Sequence, residues 1–289
     1  MSLPIGICRF CGAPLEHTFV DLGMSPPCQT HIEPHQLNRM EAFYPLHAFV
    51  CAQCFLVQLK DFVSPKDIFI EYAYFSSYSD SWLRHAKTYT DLMVDRFGIG
   101  HKSQVVEIAS NDGYLLQYFV EKGVPVLGVE PAANVAQVAV KKGIPSVPDL
   151  NDFVSGMKVL LKPTGVITME FPHLMRLMED NQFDTIYHEH FSYLSFYTVE
   201  LVFAAHGLTI FDVEELPTHG GSLRIYARHE EDATNPVSPR VALLRTRESN
   251  AGFTNLEHYF SFAGQVRKTK RQLLDFLIRI KREGKRVAG

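Results

Sequence analysis

Two cysteine pairs, Cys8-x-x-Cys11 and Cys51-x-x-Cys54, limit what this chain can fold into more than any other feature. Within each pair the spacing lets one tight turn present two thiolates to a single ion, which is the ligand pattern of tetrahedral structural zinc. The stretch between the pairs is longer than in a compact zinc ribbon, so it must loop out and return. Structural zinc contributes about 10 to 16 kcal/mol on binding, ample to order a small module. Four thiolates leave no coordination position open, so such an ion serves the fold rather than chemistry. Four unconnected buried or redox-active cysteines are the competing reading. Cys28, the fifth cysteine, reads as a small apolar residue.

The bulk properties leave room for about two domains: 289 residues, 46% of them hydrophobic, with a net charge of −4. No run of about twenty apolar residues occurs, and Met1-Ser2-Leu3-Pro4 lacks a basic segment followed by an apolar one. The sequence therefore predicts a soluble, cytoplasmic chain with no membrane partner, whose cysteines stay reduced. The charge balance exerts no pull on a polyanion, although residues 267–286 are locally basic. Glu16, Asp21, Glu33 and Glu41 surround the cysteines where a nucleic-acid module would carry basic and aromatic residues, so nucleic acid is not an expected partner.

Residues 1–62, rich in turns and prolines, read as a small zinc-binding domain with little core of its own. Apolar residues at helical spacing predict an amphipathic helix over Asp80–Phe97, ended by Gly98 and Gly100. A strand over Gln104–Ala109, a helix over Tyr114–Lys122, a strand over Val124–Val129 and a helix over Ala132–Lys142 then predict half of a doubly wound parallel sheet. Beyond it the patterns predict a helix over Asp149–Leu161, a strand over Val166–Phe171 and a helix over Tyr197–His206. Two antiparallel strands, Leu208–Glu215 and Ser222–Arg228, flank the Thr218–Gly221 turn. A long helical region after Pro239 runs to about Glu283, interrupted near Gly252.

Two segments carry chemistry. The turn Glu107-Ile108-Ala109-Ser110-Asn111-Asp112-Gly113 lies between a predicted strand and helix, where ligands meet the carboxyl ends of parallel strands. The glycine fingerprint for a pyrophosphate is missing, and Glu130 ends the next strand, placed to accept hydrogen bonds from ribose hydroxyls. Those features favour S-adenosylmethionine, which carries no phosphate, over a nicotinamide cofactor or an uncommitted turn. The second segment, Tyr187-His188-Glu189-His190-Phe191-Ser192-Tyr193, sets titratable groups among apolar neighbours that would perturb them. A general base near a carbonyl, a metal site and a surface turn are all compatible with it.

In order along the chain, the two cysteine pairs, Tyr74-Phe75-Ser76-Ser77-Tyr78-Ser79, the Glu107–Gly113 loop, Glu170-Phe171-Pro172-His173, Tyr187–Tyr193 and His219-Gly220-Gly221-Ser222-Leu223-Arg224 resemble one family. It is the sugar C-methyltransferases, which act on nucleotide-linked keto-hexoses. The resemblance implies a Rossmann-like class I methyltransferase core of α/β class behind a small N-terminal zinc-binding domain. It implies zinc on Cys8, Cys11, Cys51 and Cys54, and an S-adenosylmethionine pocket lined by Glu107, Ala109, Asn111, Gly113 and Glu130, approached by Tyr74 and Ser77. His190 is then the base that removes the proton beside the C-4 ketone, with Tyr187 and Glu189 orienting the sugar, the base or the enolate oxygen. The substrate implied is a dTDP-linked keto-hexose, taken by a monomer or weak oligomer.

Two stretches depart from the family pattern. Gly143–Asp149 reads as the end of one family segment fused to the start of a much later one, which removes a third and a fourth strand. The fourth normally walls the cofactor pocket and carries a histidine near the sugar, where Ser146 now stands. At the end, Gly284–Gly289 reads as an unfinished strand, whereas family members continue into a nucleotide-holding domain. The domain plan expected is thus a zinc-binding domain over 1–62, a methyltransferase core lacking central strands over 63–235, and a helical connector over 236–289. A non-catalytic methyltransferase-like binding protein is the alternative function.

Overall fold

A computed structural model describes residues 6–28, 32–60, 62, 75–130, 146–147 and 153–287. The chain divides into two compact units, one formed by Met1–Phe62 and Val154–Gly289, the other by Val63–Phe153. The predicted helix over Ala132–Lys142 lies outside the described residues.

The first unit begins as an antiparallel meander of β1 (His17–Ser25), β2 (Tyr44–Val50) and β3 (Val57–Leu59). Strand alternation sends β2 into two cores at once. Leu46, Ala48 and Val50 face a large apolar cluster with Phe19 and Val20, while Phe49 faces a smaller one that holds Cys8, Cys51 and Cys54. The expectation of a module with little core is therefore corrected. Turn-rich composition hid three short strands whose apolar faces join a core completed by residues far away in sequence.

The second unit opens with α1 (Asp80–Phe97), capped by the Ser79 hydroxyl, which accepts from the Trp82 amide at 3.3 Å, and ended by Gly98 at φ 60°. Strand β4 (Val105–Ile108), helix α2 (Leu116–Glu121) and strand β5 (Val126–Val129) follow as the sequence predicts, with β4 and β5 parallel. A third strand, the two-residue β6 (Ser146–Val147), pairs in parallel with β5. Ser146 lies within it, opposite Gly128, and at two residues it is the shortest strand of this sheet. Among the described residues the sheet order is β4-β5-β6, which leaves β4 at an edge, and all four of its residues are partly exposed. Parallel strands are ordinarily covered on both faces.

The chain returns to the first unit with α3 (Phe153–Leu160), β7 (Ile167–Pro172), α4 (Leu174–Glu179), β8 (Ser192–Tyr193), α5 (Phe196–Ala205), β9 (Leu208–Leu216), β10 (Ser222–His229), α6 (Pro239–Ala251) and α7 (Leu256–Arg282). Strands β9 and β10 are antiparallel neighbours, as predicted, and β7 joins them in the order β7-β10-β9. Strand β8 instead extends the meander, pairing Tyr193 with Val57 and Ser192 with Gln58. Helix α4 and the first half of α7 close the large core, with Phe262 of α7 stacked on Phe19 of β1 at 4.8 Å between ring centroids. No helix among the described residues is long and apolar enough to cross a membrane.

One buried carboxylate joins three of these elements. Glu248 of α6 accepts the amides of Phe196 and Tyr197 at 2.7 and 2.8 Å, at the start of α5, and pairs with His173 Nε2 at 2.6 Å. Both side chains are 1% exposed. A helix N-terminus leaves its first amides without intrahelical partners, and a carboxylate there is favoured by the helix dipole. Removing one member strands the rest in the interior. Glu248→Ala is expected to destabilise the first unit by about 3 kcal/mol in urea unfolding followed by circular dichroism.

Candidate active site and zinc centre

The two cysteine pairs converge. Their four sulfurs all lie within 4.8 Å of one another, with Cys8 and Cys54 3.6 Å apart and Cys11 and Cys51 3.5 Å apart. Tetrahedral zinc with bonds of about 2.3 Å requires sulfur separations of about 3.8 Å, so the residues fit the ion. The knuckles are built alike. In each, the first cysteine's carbonyl accepts an amide four residues on, from Gly12 at 3.0 Å and from Phe55 at 3.0 Å, and both of those residues are left-handed, at φ 73° and 57°. Glycine takes that conformation freely. Phe55 adopts it with its ring stacked on Tyr259 at 5.8 Å, which holds the second knuckle against α7.

The centre reaches toward the histidine-rich segment. Arg9, between two ligands, donates to the carbonyls of Phe191 at 2.6 Å and Leu59 at 2.7 Å. Its amide donates to Gln58 Oε1 at 3.0 Å, and Gln58 Nε2 donates to the Cys8 sulfur at 3.2 Å. Zinc knuckle, β3 and β8 are thereby one hydrogen-bonded block.

That block fixes Tyr187, Glu189 and His190. His190 Nδ1 faces the Thr185 carbonyl at 3.2 Å, so it carries the proton, and Nε2 is left to accept from the Tyr187 hydroxyl at 2.7 Å. Burial lowers the histidine from its ordinary value and the charge of His219 lowers it further, against the Thr185 hydrogen bond. Burial, followed by Cys28 and Glu189, raises Tyr187 to about 12. The imidazole is therefore neutral and the phenol protonated near pH 7. Glu189 accepts from the Cys28 thiol at 3.0 Å, which corrects the reading of Cys28 as merely apolar.

In the second unit the Glu107–Gly113 turn has Ala109, Asn111 and Gly113 all left-handed, at φ 59°, 48° and 76°. Such clusters of sparsely populated backbone mark ligand sites. The Asn111 amide donates to Glu130 Oε2 at 2.8 Å and its side-chain oxygen accepts the Ser76 amide at 3.0 Å, while the Ser77 hydroxyl donates to Asp112. Glu107 Oε2 is buried with no hydrogen-bond partner. Burial, then the charges of Glu130 and Asp112, raises Glu107 well above the ordinary carboxylate range. Three acids with an orphaned acceptor suit a cationic ligand bearing hydroxyl and ammonium donors, as S-adenosylmethionine does. Tyr74 lies outside the described residues.

Sequence reasoning left the other motif residues without roles. Glu170 accepts from Thr218 at 3.0 Å and from Arg224 at 3.0 Å, which ties the Glu170–His173 and His219–Arg224 motifs across β7 and β10. Nothing in the spacing announced Arg9, Cys28 or Glu248, because each acts through a residue distant in sequence.

Comparison with known proteins identifies the family. The family model Methyltransf_13, described as "Putative zinc binding domain", matches residues 8–69, and Methyltransf_14, "C-methyltransferase C-terminal domain", matches residues 217–289. The C-methyltransferase NovU of Streptomyces niveus is 31% identical over 317 residues, covering 99% of this chain and 75% of that protein. An alignment of 317 residues exceeds the 289 present here, so the relative carries residues this chain lacks. Among solved structures, a Burkholderia thailandensis 1,6-didemethyltoxoflavin-N1-methyltransferase matches with TM-score 0.42 and 14% identity, over 61% of this chain and 95% of that one. The PH0226 protein of Pyrococcus horikoshii OT3 matches with TM-score 0.44 and 15% identity, over 59% and 99%. The chain belongs to the C-methyltransferase family, S-adenosylmethionine-dependent enzymes with a Rossmann-like α/β core and a zinc-binding domain at the N-terminus.

Metal analysis of the purified chain is expected to give one zinc per chain, and Cys51→Ser to abolish it. Stripping the metal with a chelator should also unfold the β1–β3 meander, seen as loss of amide protection from hydrogen exchange in that sheet.

Proposed function

We propose that this chain methylates a carbon of a nucleotide-linked keto-sugar, next to the ketone, through an enolate. The observation that carries the reading is the paired geometry of His190 and Tyr187. With Nδ1–H committed to Thr185, Nε2 is the ring's proton acceptor, and burial keeps it uncharged near pH 7. In this mechanism Nε2 takes the proton from the carbon beside the C-4 ketone, and the C–H electron pair becomes the enolate double bond. Nε2 has a single lone pair, so the Tyr187 hydroxyl turns from it to the ketone oxygen when the sugar binds and stays on the enolate oxygen, where Glu189 helps orient the sugar. S-adenosylmethionine, held by Glu107, Ala109, Asn111, Gly113, Glu130 and Ser77, supplies an electrophilic methyl group to that carbon. The dTDP carrier rests on the family resemblance.

Titration calorimetry of the zinc-loaded chain with S-adenosylhomocysteine tests the cofactor half. Micromolar binding is expected, strengthening as pH rises, because the ligand's hydroxyl and ammonium donors favour the ionised form of Glu107 and protonation of that group opposes it. Glu107→Gln should flatten the dependence. A folded, zinc-loaded chain that binds nothing would instead support the non-catalytic reading, for which the exposed edge at β4 and the residues absent relative to the relative speak.

The base is tested by pH–rate profiles with a dTDP-4-keto-6-deoxyhexose. The acid limb is expected below about pH 6.5, the ordinary histidine value, since burial lowers His190. Tyr187→Phe removes a donor that favours the neutral imidazole, so the limb should move to higher pH by up to about one unit. His190→Asn should cost about 10² to 10⁴ in turnover with S-adenosylhomocysteine affinity unchanged. Full turnover by that variant rules His190 out as the base.

A further inference from the structure

Tyr187 and His190 explain proton removal, but they leave open what holds Glu189 beside them. Cys28 comes from the stretch between the two zinc knuckles and takes no part in the four-sulfur cluster. Its sulfur lies 3.0 Å from Glu189 Oε1. The same stretch grips the neighbouring residue: His188 Nε2 meets the Pro45 carbonyl at 3.3 Å, and its ring meets Tyr44 edge-on at 6.2 Å. One side of the segment is thus anchored at His188 and Glu189, and the other at Phe191 by Arg9.

We propose that Cys28 is a positioning residue of the active site, its thiol donating a hydrogen bond that fixes the Glu189 carboxylate beside His190. Burial, and then Glu189 itself, pushes the thiol up to about 12, so it stays protonated and remains a donor through the neutral range. The same protonation makes it a poor nucleophile. Alanine removes the donor; serine keeps one, on a shorter arm.

This inference rests on the proposed function, and two measurements separate their failures. With S-adenosylmethionine and a dTDP-4-keto-6-deoxyhexose, Cys28→Ala is expected to lower kcat about tenfold at unchanged KM for S-adenosylmethionine. Cys28→Ser should recover most of that loss. Wild-type kcat in Cys28→Ala, or equal losses in both variants, overturns the positioning role. The second measurement needs no turnover. In the zinc-loaded protein Cys28 should react slowly with iodoacetamide, and Glu189→Gln should speed the reaction several-fold by removing the charge that holds the proton on sulfur. An unchanged rate overturns the contact itself. A wild-type chain that shows no turnover yet gives this acceleration sinks the functional reading and upholds the contact.

Discussion

The convergence of four thiols on one point is the constraint on which the first unit depends. Cys8 and Cys11 stand at one end of a stretch and Cys51 and Cys54 at the other, and their sulfurs meet within 4.8 Å. Zinc closes that loop, and the chain between the knuckles runs out and back as β1 and β2. Arg9 leaves the first knuckle to hold the Phe191 and Leu59 carbonyls, and β3 leaves the second to pair with β8. The four-cysteine centre is thereby tied through hydrogen bonds to β8 and to Phe191, which follows His190 in the segment that carries Tyr187 and Glu189.

In the second unit the deciding term is electrostatic. Glu107, Asp112 and Glu130 crowd a turn whose backbone bends left-handed at Ala109, Asn111 and Gly113. Burial first, and then the charges of Glu130 and Asp112, hold Glu107 above the ordinary carboxylate range. A phosphate would meet like charge at this turn.

Buried polar groups elsewhere show that a motif residue need not touch a ligand. Glu170 and Arg224, both within segments that mark the family, pair with each other across neighbouring strands, and His173 is locked to Glu248. Each of these carboxylates has a hydrogen-bond donor close by, as the interior demands. Their chemistry is spent on holding β7, β10, α5 and α6 in register.

The sequence by itself determined the zinc ligands, the long helices, the β4-α2-β5 unit and the antiparallel β9–β10 pair. All of these rest on spacing a few residues wide: a two-residue gap between cysteines, a 3.6-residue apolar period, a turn between alternating strands. It also determined the family, because several short motifs in fixed order are jointly improbable. Tertiary structure alone decided that β1, β2 and β3 share a large core with α4 and α7, that Ser146 pairs beside β5, and that Cys28 faces Glu189. It likewise decided which nitrogen of His190 meets Tyr187 and which meets Thr185. Those outcomes join residues up to 161 positions apart, as in the Cys28–Glu189 contact. No local period encodes such a meeting; it follows from which apolar faces find each other when the chain collapses.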